Sequence, residues 1–401
     1  MAYTRPVAVD ASQIWVTLRS KPYHRPMDPR IVELLRQAPL IDGHNDLLWA
    51  LREAREEGGE DLDVGASTPQ LQTDLPRLEA GGVGAQFWSV YVPSHLPPDQ
   101  AVTQTLEQIE GFYGLIHRYP GRLEQARTAS EVRKIAAKGR VASMIGVEGG
   151  HSIGNSLGTL RILARLGAGY MTLTHNDDTD WADSATGEHP HGGLTTFGEE
   201  VVRELNRSGV LVDLSHVSDD TMRQAIEVSE APVIFSHSSA RALCDVTRNV
   251  PDDVLELVRE TNAVVMVTFV PSFVAPEGAA LNRKALAQVS ALRAEHADDP
   301  DALRVAMNEW WDSLEEVPAT VSQVADHIDH VRDVAGIDHI GVGGDFDGAI
   351  GMPDGLQDVA CYPALFEELA ARGYTDEALQ QIAGRNVLRV MQEAELVAVR
   401  R

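Results

Sequence analysis

Short runs of apolar and β-branched residues recur along the chain, and longer amphipathic stretches separate them. Near-continuous apolar runs are typical of strands that are buried on both faces of a parallel sheet. Regular alternation of such strands with helices indicates an α/β fold. We predict a strand for each of eight runs: Leu40–Asp46, Ala85–Val92, Ala142–Glu148, Tyr170–Asn176, Val210–Val217, Pro232–Ser238, Ala263–Val270 and Ile340–Asp347.

The stretches between these runs have the hydrophobic spacing of helices. Val321, Ile328 and Val334 belong to a series of apolar residues that falls on one helical face before the eighth run. Thr196 and Glu199 have the spacing of a capping box, which predicts that a helix begins there and ends near Gly209. Eight strand–helix units in succession predict a (β/α)8 TIM barrel with a distorted outline.

The barrel accounts for only part of the chain. A (β/α)8 barrel takes about 250 residues, whereas this chain has 401. Because no linker-like or low-complexity stretch divides the sequence, we predict a single catalytic domain over residues 1–401. The additional residues fall in an N-terminal arm (1–39) that is expected to pack on the barrel, in an excursion (47–82), and in a long insertion (271–320) before the last strand–helix unit.

The charge of the chain disfavours two kinds of partner. Sixty acidic against 34 basic residues give a formal net charge of −26, which repels nucleic acids and anionic membranes alike. The longest apolar runs fall short of the roughly 18 residues that a spanning helix needs, and the N-terminus has no secretory signal pattern. Cys244 and Cys361 allow at most one disulfide. We therefore expect a soluble cytoplasmic protein that binds neither nucleic acid nor membrane, and we leave open whether it forms a homodimer.

Residues that can bind a metal or titrate lie at the C-terminal ends of six of the eight runs. In a (β/α)8 barrel these ends meet at one mouth, where the active site is built. Each residue alone has an ordinary explanation, such as a helix cap or a core histidine bonded to the backbone. Independent core histidines, however, would not recur at the same end of successive strands. The seven residues are His44, Asp46, Glu148, His175, His216, His237 and Asp345.

Five of these residues predict a metal centre with two ions. His44 and Asp46 are two residues apart and therefore lie on the same side of a strand. With Glu148, His216 and His237 they are too many for a mononuclear catalytic zinc, which typically has three protein ligands. They suit two ions that share a bridging carboxylate. Imidazole with carboxylate favours Zn²⁺, although Co²⁺ or Mn²⁺ would fit the same set, so we predict two Zn²⁺ per chain at the C-terminal mouth.

Other titratable residues have weaker grounds for a role in the site. Asp347 lies two residues beyond Asp345, and spacing alone does not decide which of the two faces the metals. His327, His330 and His339 flank the last crossover, and we expect them to pack or to titrate at the surface.

At the positions of the candidate ligands the chain resembles the renal or membrane dipeptidases (peptidase family M19), which belong to the amidohydrolase superfamily. The matching motifs occur in the same order from residue 41 to residue 390, which makes the resemblance specific. They are Ile41–Asp46, Gly146–Gly150, Leu173–Asn176, Trp181–Asp183, Asp213–His216, Phe235–Ser238, Arg248–Val250, Gly343–Gly348 and Gly384–Val390.

The resemblance implies a metal-dependent dipeptidase and assigns the ligands to two ions. It implies that His44 and Asp46 hold one ion, that His216 and His237 hold the other, and that Glu148 bridges them. Members from animals carry a signal peptide, disulfides and a lipid anchor, none of which is visible in this sequence. The resemblance therefore implies nothing about location.

The resemblance further implies that His175, Arg248 and Asp345 contact a dipeptide substrate. His175 would stabilise the developing oxyanion, Asp345 would pass a proton from water to the leaving amine, and Arg248 would bind the free C-terminal carboxylate. The family also implies tolerance of a D-residue at the C-terminal position. Two alternatives remain: another amidohydrolase-type hydrolase such as a lactonase, which would not need Arg248, and a non-catalytic metal-binding barrel, which would not need Asp345.

Overall fold

Eight parallel strands close into a barrel in the computed structural model, which describes residues 28–56, 61–296, 319–349 and 351–399 and a few isolated positions from 302 to 310. The strands are β1 (Leu40–Asn45), β2 (Val83–Tyr91), β3 (Leu123–Gln125), β4 (Val141–Glu148), β5 (Ala168–Thr172), β6 (Leu211–Asp213), β7 (Ile234–Phe235), β8 (Val264–Val267) and β9 (Ile340–Val342). The ring runs β2-β1-β9-β8-β7-β6-β5-β4 and closes where β2 pairs with β4. The short β3 is an additional strand that pairs with the beginning of β4. The predicted (β/α)8 barrel is confirmed.

Helices follow the strands and cover the outside of the barrel. They are α1 (Pro29–Gln37), α2 (Leu47–Glu56), α3 (Leu75–Ala80), α4 (Pro98–Arg118), α5 (Ala129–Ala136), α6 (Leu157–Arg165), α7 (Thr196–Ser208), α8 (Asp219–Val228), α9 (Asp252–Glu260), α10 (Pro271–Val274), α11 (Pro276–Glu295), α12 (Val321–Val334), α13 (Tyr362–Ala371), α14 (Asp376–Gln380) and α15 (Asn386–Val399). A π-helical turn (Gln381–Arg385) joins α14 to α15. Among the described residues, no helix combines the length and the apolar character that crossing a membrane requires.

The predicted strands lie where the structure has strands, but several end earlier than predicted. Strand β5 ends at Thr172, β6 at Asp213 and β9 at Val342. The apolar runs continue past these ends because the loops at the barrel mouth are themselves buried. His216 and Asp345 have φ angles of 70° and 60°, which belong to the left-handed region and cannot continue a strand.

The predicted capping box at Thr196 is wrong by one position. Thr195 is the N-cap of α7, and its hydroxyl accepts the backbone N–H of Gly198 at 3.3 Å. Glu199 instead forms an ion pair with Arg203. Two consecutive threonines offer equivalent caps in the sequence, and only the backbone conformation selects between them. The predicted helix end at Gly209 is correct, since Gly209 is the left-handed C-cap.

The segments outside the barrel are described in part. In the predicted N-terminal arm, residues 1–27 lie outside the described residues, while α1 buries Ile31, Leu34 and Leu35. The predicted insertion begins with α10 and α11, and most of its second half lies outside the described residues. The division of the chain into one domain stays a prediction. Cys244 and Cys361 are both buried and free.

Candidate functional site

Glu148, the last residue of β4, lies at the centre of a buried cluster of four imidazoles. Its Oε1 is 3.2 Å from His216 Nε2, 3.6 Å from His175 Nε2 and 3.8 Å from His237 Nε2. Its Oε2 is 3.4 Å from His44 Nε2. The structure therefore brings these five predicted site residues together, with His44 facing one oxygen of the Glu148 carboxylate and the other three histidines facing the second oxygen.

Two further predicted carboxylates complete the cluster on the side of His44. The Oδ2 of Asp46 is 3.2 Å from His44 Nε2, and Asp345 is hydrogen-bonded to Asp46. Ligand atoms of three overlapping sets lie within 4.8 Å of one another, and these sets are His44–Glu148–His237, Glu148–His175–His216 and His44–Asp46–Asp345. All seven candidates thus lie in one site. His175 and Asp345 lie as near to it as the predicted ligands do.

The donor atoms of this cluster fit divalent cations. His44 Nε2 is buried and has no hydrogen-bond partner among the described residues. His216 Nε2 and His237 Nε2 are 2.9 Å apart. Because Ser236 Oγ donates its proton to Asp213, it accepts the Nδ1–H of His237, and His237 Nε2 is left with a lone pair. Buried lone pairs and carboxylates directed at the same space are unfavourable unless a cation lies between them, so the residues fit bound metal.

Hydrogen bonds from inside the barrel orient two of the imidazoles. The Tyr170 hydroxyl lies 2.7 Å from His44 Nδ1. Ser236 Oγ lies 2.8 Å from His237 Nδ1 and donates in turn to Asp213 at 2.6 Å. Contacts of this kind fix the tautomer and the ring orientation of a metal-binding histidine.

The sequence did not identify these supporting residues. Tyr170 and Asp213 lie within predicted strands, where an aromatic and a carboxylate interrupt apolar runs, and that interruption is the only local signal. Their partners are distant in sequence: Tyr170 lies 126 positions after His44. Ser89, which donates to Glu148 Oε2 at 2.9 Å, was missed for the same reason.

The surroundings of Glu148 and Asp345 shift the pKa values of these two carboxyls in opposite directions. Burial would raise the pKa of Glu148, but His44 and His175 and a hydrogen bond from His216 hold it well below its usual range. Burial, followed by the nearby charges of Asp46 and Glu148, raises the pKa of Asp345 well above its usual range. The pKa values of the two buried carboxyls are thus shifted in opposite directions, because imidazoles surround Glu148 and carboxylates lie beside Asp345.

Arg248 is a buried cation beside this cluster. Its guanidinium lies 5.1 Å from the centre of the Phe273 ring, and Nη1 is 3.5 Å from Ser238 Oγ. Its Nε is buried and has no hydrogen-bond partner among the described residues. Burial lowers the pKa of Arg248 to about 10, which leaves it charged at neutral pH. The guanidinium keeps donors free for an anionic group.

The backbone around the site includes strained conformations. His216 and Asp345 are among the few non-glycine residues with positive φ, at 70° and 60°. Such conformations cost about 1–3 kcal/mol each and occur preferentially at functional sites. A Cβ on Gly348 would lie 2.1 Å from Asp46 Oδ2 and 2.5 Å from Asp345 Oδ1, so only glycine allows the two carboxyls to meet.

The structure also separates Asp345 from Asp347. The carboxyl of Asp347 faces the 72–73 segment, where its Oδ1 accepts the backbone N–H of Gln72 at 2.6 Å. Burial raises the pKa of Asp347 to about 7. Asp345 is the aspartate that contacts Asp46, and Asp347 holds a loop.

The three histidines near the last crossover lie outside the site. His339 is bonded to the carbonyl of Ala263, and His330 pairs with Asp252 at the surface. His327 is buried and is bonded to Val274 and Ala240.

Comparison with known proteins places the chain beside a family of metallopeptidases. The sequence profile described as membrane dipeptidase (peptidase family M19) matches residues 29–401. The crystal structure of the probable dipeptidase PvdM from Pseudomonas aeruginosa is 26% identical, covers 92% of this chain and 100% of its own, and superposes with a TM-score of 0.77.

Two further crystal structures are similar over most of their length. The dipeptidase AC, a metallopeptidase of family M19, is 28% identical with a TM-score of 0.72 and covers 89% of this chain and 98% of its own. A metallopeptidase from Rhodobacter sphaeroides, liganded with a phosphinate mimic of the dipeptide L-Ala-D-Ala, is 27% identical with a TM-score of 0.71. That match covers 89% of this chain and 99% of the other.

Proposed function

This chain belongs to the membrane dipeptidases of peptidase family M19, and on that premise we propose how it binds and cleaves a dipeptide with the help of bound metal. The observation that carries the proposal is the position of Glu148 among four imidazoles, beside the buried guanidinium of Arg248. A dipeptide needs both elements, because its peptide bond lies one residue from a free carboxylate.

We assign the metal ligands to two ions. His44 and Asp46 would hold one ion, His216 and His237 would hold the other, and Glu148 would bridge them, which is consistent with its contacts to histidines on both sides. The proposed ions are two Zn²⁺ per chain, with Co²⁺ or Mn²⁺ as substitutes. When bound, such ions polarise a carbonyl and lower the pKa of water.

Arg248 would bind the C-terminal carboxylate of the dipeptide. A planar guanidinium can form two parallel hydrogen bonds to a carboxylate, which gives both affinity and orientation. Its burial and free Nε support this role. The phosphinate mimic in the Rhodobacter sphaeroides enzyme supports the inclusion of L-D dipeptides among the substrates.

Asp345 and His175 would handle the proton and the developing charge. The Asp345 carboxylate would take a proton from the attacking water and give it to the leaving amine as the C–N bond breaks. His175 would donate a hydrogen bond to the carbonyl oxygen as negative charge develops on it. The raised pKa of Asp345 supports the first role, because such a group can hold the proton between the two transfers.

The test combines elemental analysis with hydrolysis of four compounds: L-Ala-L-Ala, L-Ala-D-Ala and the C-terminal amide of each. About two divalent ions per active chain and much faster hydrolysis of the free dipeptides are expected. Equal hydrolysis of free and amidated compounds would overturn the role of Arg248 and favour a lactonase-like enzyme, which a lactone panel then tests. Metal binding without hydrolysis of either panel would favour a non-catalytic barrel. The cytoplasmic location stays a prediction that cell fractionation tests, and light scattering tests whether the protein forms a homodimer, which the sequence leaves open.

A further inference from the structure

Arg248 lies on a loop rather than on a strand, and a second loop faces it. The Arg248 loop (residues 238–250) follows β7, and the Phe273 loop (residues 268–275), which includes the four-residue helix α10, follows β8. Among the described residues, the Arg248 guanidinium packs on the Phe273 ring and lies within hydrogen-bonding distance of Ser238 Oγ. The position of the guanidinium therefore depends on how these two loops are held together.

His327, on α12, joins the two loops through both nitrogens of its ring. The backbone N–H of Ala240 in the Arg248 loop donates to Nδ1 at 3.0 Å. Nε2 donates to the carbonyl of Val274 in the Phe273 loop at 2.9 Å. Because a backbone N–H can only donate and a carbonyl can only accept, the ring must be neutral with its proton on Nε2. Burial lowers the pKa of His327 to about 4, which agrees with a ring that stays neutral at physiological pH.

Asn249, the neighbour of Arg248, forms a second connection between the same loops. Its Oδ1 accepts the backbone N–H of Ser239 at 3.1 Å. Its Nδ2 donates to the carbonyl of Phe273 at 2.8 Å and to that of Cys244 at 2.9 Å. The carbonyls of Phe273 and Val274 are thus fixed by two different residues.

We propose that His327 is a positioning residue for substrate recognition, which holds the two loops together and so keeps the Arg248 guanidinium in place for the substrate carboxylate. The proposal rests on the proposed role of Arg248. His327 has no contact with the metal ligands, so its effect should fall on carboxylate recognition and leave the metal centre intact.

The experiment compares two substitutions of His327 with a control on the same helix. His327→Gln keeps one acceptor and one donor at the end of the side chain, whereas His327→Leu removes both. His330→Gln is the matched control, because His330 is on α12 but pairs with Asp252 outside the two loops. For His327→Leu we expect KM for a free dipeptide to rise roughly 10-fold. This is less than the full effect of losing one charge-assisted hydrogen bond, because Arg248 is displaced rather than removed. Its kcat and metal content should stay near those of the wild type, and its preference for free over amidated dipeptides should shrink by the same factor.

The conservative variant His327→Gln and amide hydrogen exchange distinguish a role in positioning Arg248 from a general contribution to the stability of the fold. His327→Gln should restore most of the wild-type KM, and hydrogen exchange in residues 238–250 should accelerate in His327→Leu only. Unchanged KM and preference in a folded His327→Leu protein would overturn the proposal, as would equal losses of kcat and bound metal. Should His327→Leu not fold, Asn249→Ala breaks the second connection, and a wild-type KM in that variant would also overturn it.

These outcomes are distinct from failure of the proposed function. If the wild type hydrolyses free and amidated dipeptides alike, the role of Arg248 fails before any variant of His327 is measured. If the wild type discriminates and the His327 and Asn249 variants discriminate equally well, only the positioning role fails.

Discussion

The proposed metal-binding half of the site, made of the five proposed ligands, and the proposed carboxylate-binding half, centred on Arg248, differ in how they are attached to the barrel. His44 and Glu148 lie within strands, and the other candidate ligands lie within three residues of a strand end. Arg248 lies 13 residues beyond the end of β7, on a loop that His327 contacts from α12 and that Asn249 joins to Phe273. Closure of the barrel therefore brings the proposed metal ligands together, whereas contacts between loops position Arg248. The comparison teaches that the reaction and the choice of substrate can change separately in this fold.

Glu148→Gln should have the largest effect, because it tests the metal-binding half at its centre. The substitution removes the charge that lies among four imidazoles, so both ions should be lost together and dipeptide hydrolysis should become undetectable. Changes in residues that only support a ligand cost about 10–100-fold in metal affinity, and loss of a shared ligand should exceed that for each ion. Elemental analysis after dialysis measures the effect, with Glu188→Gln in an exposed loop as control. Retention of two ions would contradict the bridging role.

Asp345→Asn should separate proton transfer from metal binding within the same half. The amide keeps the size of the side chain but cannot carry the proton, so kcat should fall by roughly 10²–10⁴-fold while KM and metal content persist. Asp347→Asn is the matched control, and it should lower stability at the 72–73 contact with little effect on kcat. The assignment is wrong if Asp347→Asn abolishes turnover and Asp345→Asn does not.

Arg248→Met tests the proposed carboxylate-binding half of the site. Loss of one charge-assisted contact should lower kcat/KM for free dipeptides about 10- to 150-fold, corresponding to about 1.5–3 kcal/mol. Amidated dipeptides should be hydrolysed equally slowly by the variant and by the wild type, because each change removes the same contact and the two losses do not add. Kinetics on both substrate forms measure this, with Arg133→Met at the surface as control. If amidation of the substrate and Arg248→Met lower kcat/KM additively, the substrate carboxylate binds at a different residue.

Tyr170→Phe should give the smallest effect, and it tests whether a hydrogen bond orients the proposed metal ligand His44. Phenylalanine keeps the ring that packs on Phe87 but removes the hydroxyl that contacts His44 Nδ1. The expected result is about a 10-fold loss of metal affinity, with full activity restored at saturating metal. Titration of the metal-free protein, followed by activity, measures this loss. Unchanged affinity would show that the barrel backbone orients His44 without this hydrogen bond.

The sequence predicted the strands and the seven clustered residues because both follow local rules. A buried strand has an apolar run, and parallel strands bring their carboxyl ends together. It did not predict the left-handed turns at His216 and Asp345, because their apolar flanks pack in loops as they would in strands. It assigned His327 to packing or to titration at the surface, since its partners Ala240 and Val274 offer backbone groups that every residue has.

Gly146 in β4 makes the contact between Tyr170 and His44 sterically feasible. A Cβ at position 146 would lie 2.1 Å from Cζ of the Tyr170 ring and 2.4 Å from its hydroxyl oxygen. The two positions are therefore coupled during divergence: a larger residue at 146 is tolerated only after 170 has become smaller, and that change would leave His44 Nδ1 without its hydroxyl partner. Among homologues, a glycine at 146 should accompany an aromatic residue at 170. Loss of the pair should mark lineages in which the surroundings of the proposed metal ligand His44 have changed.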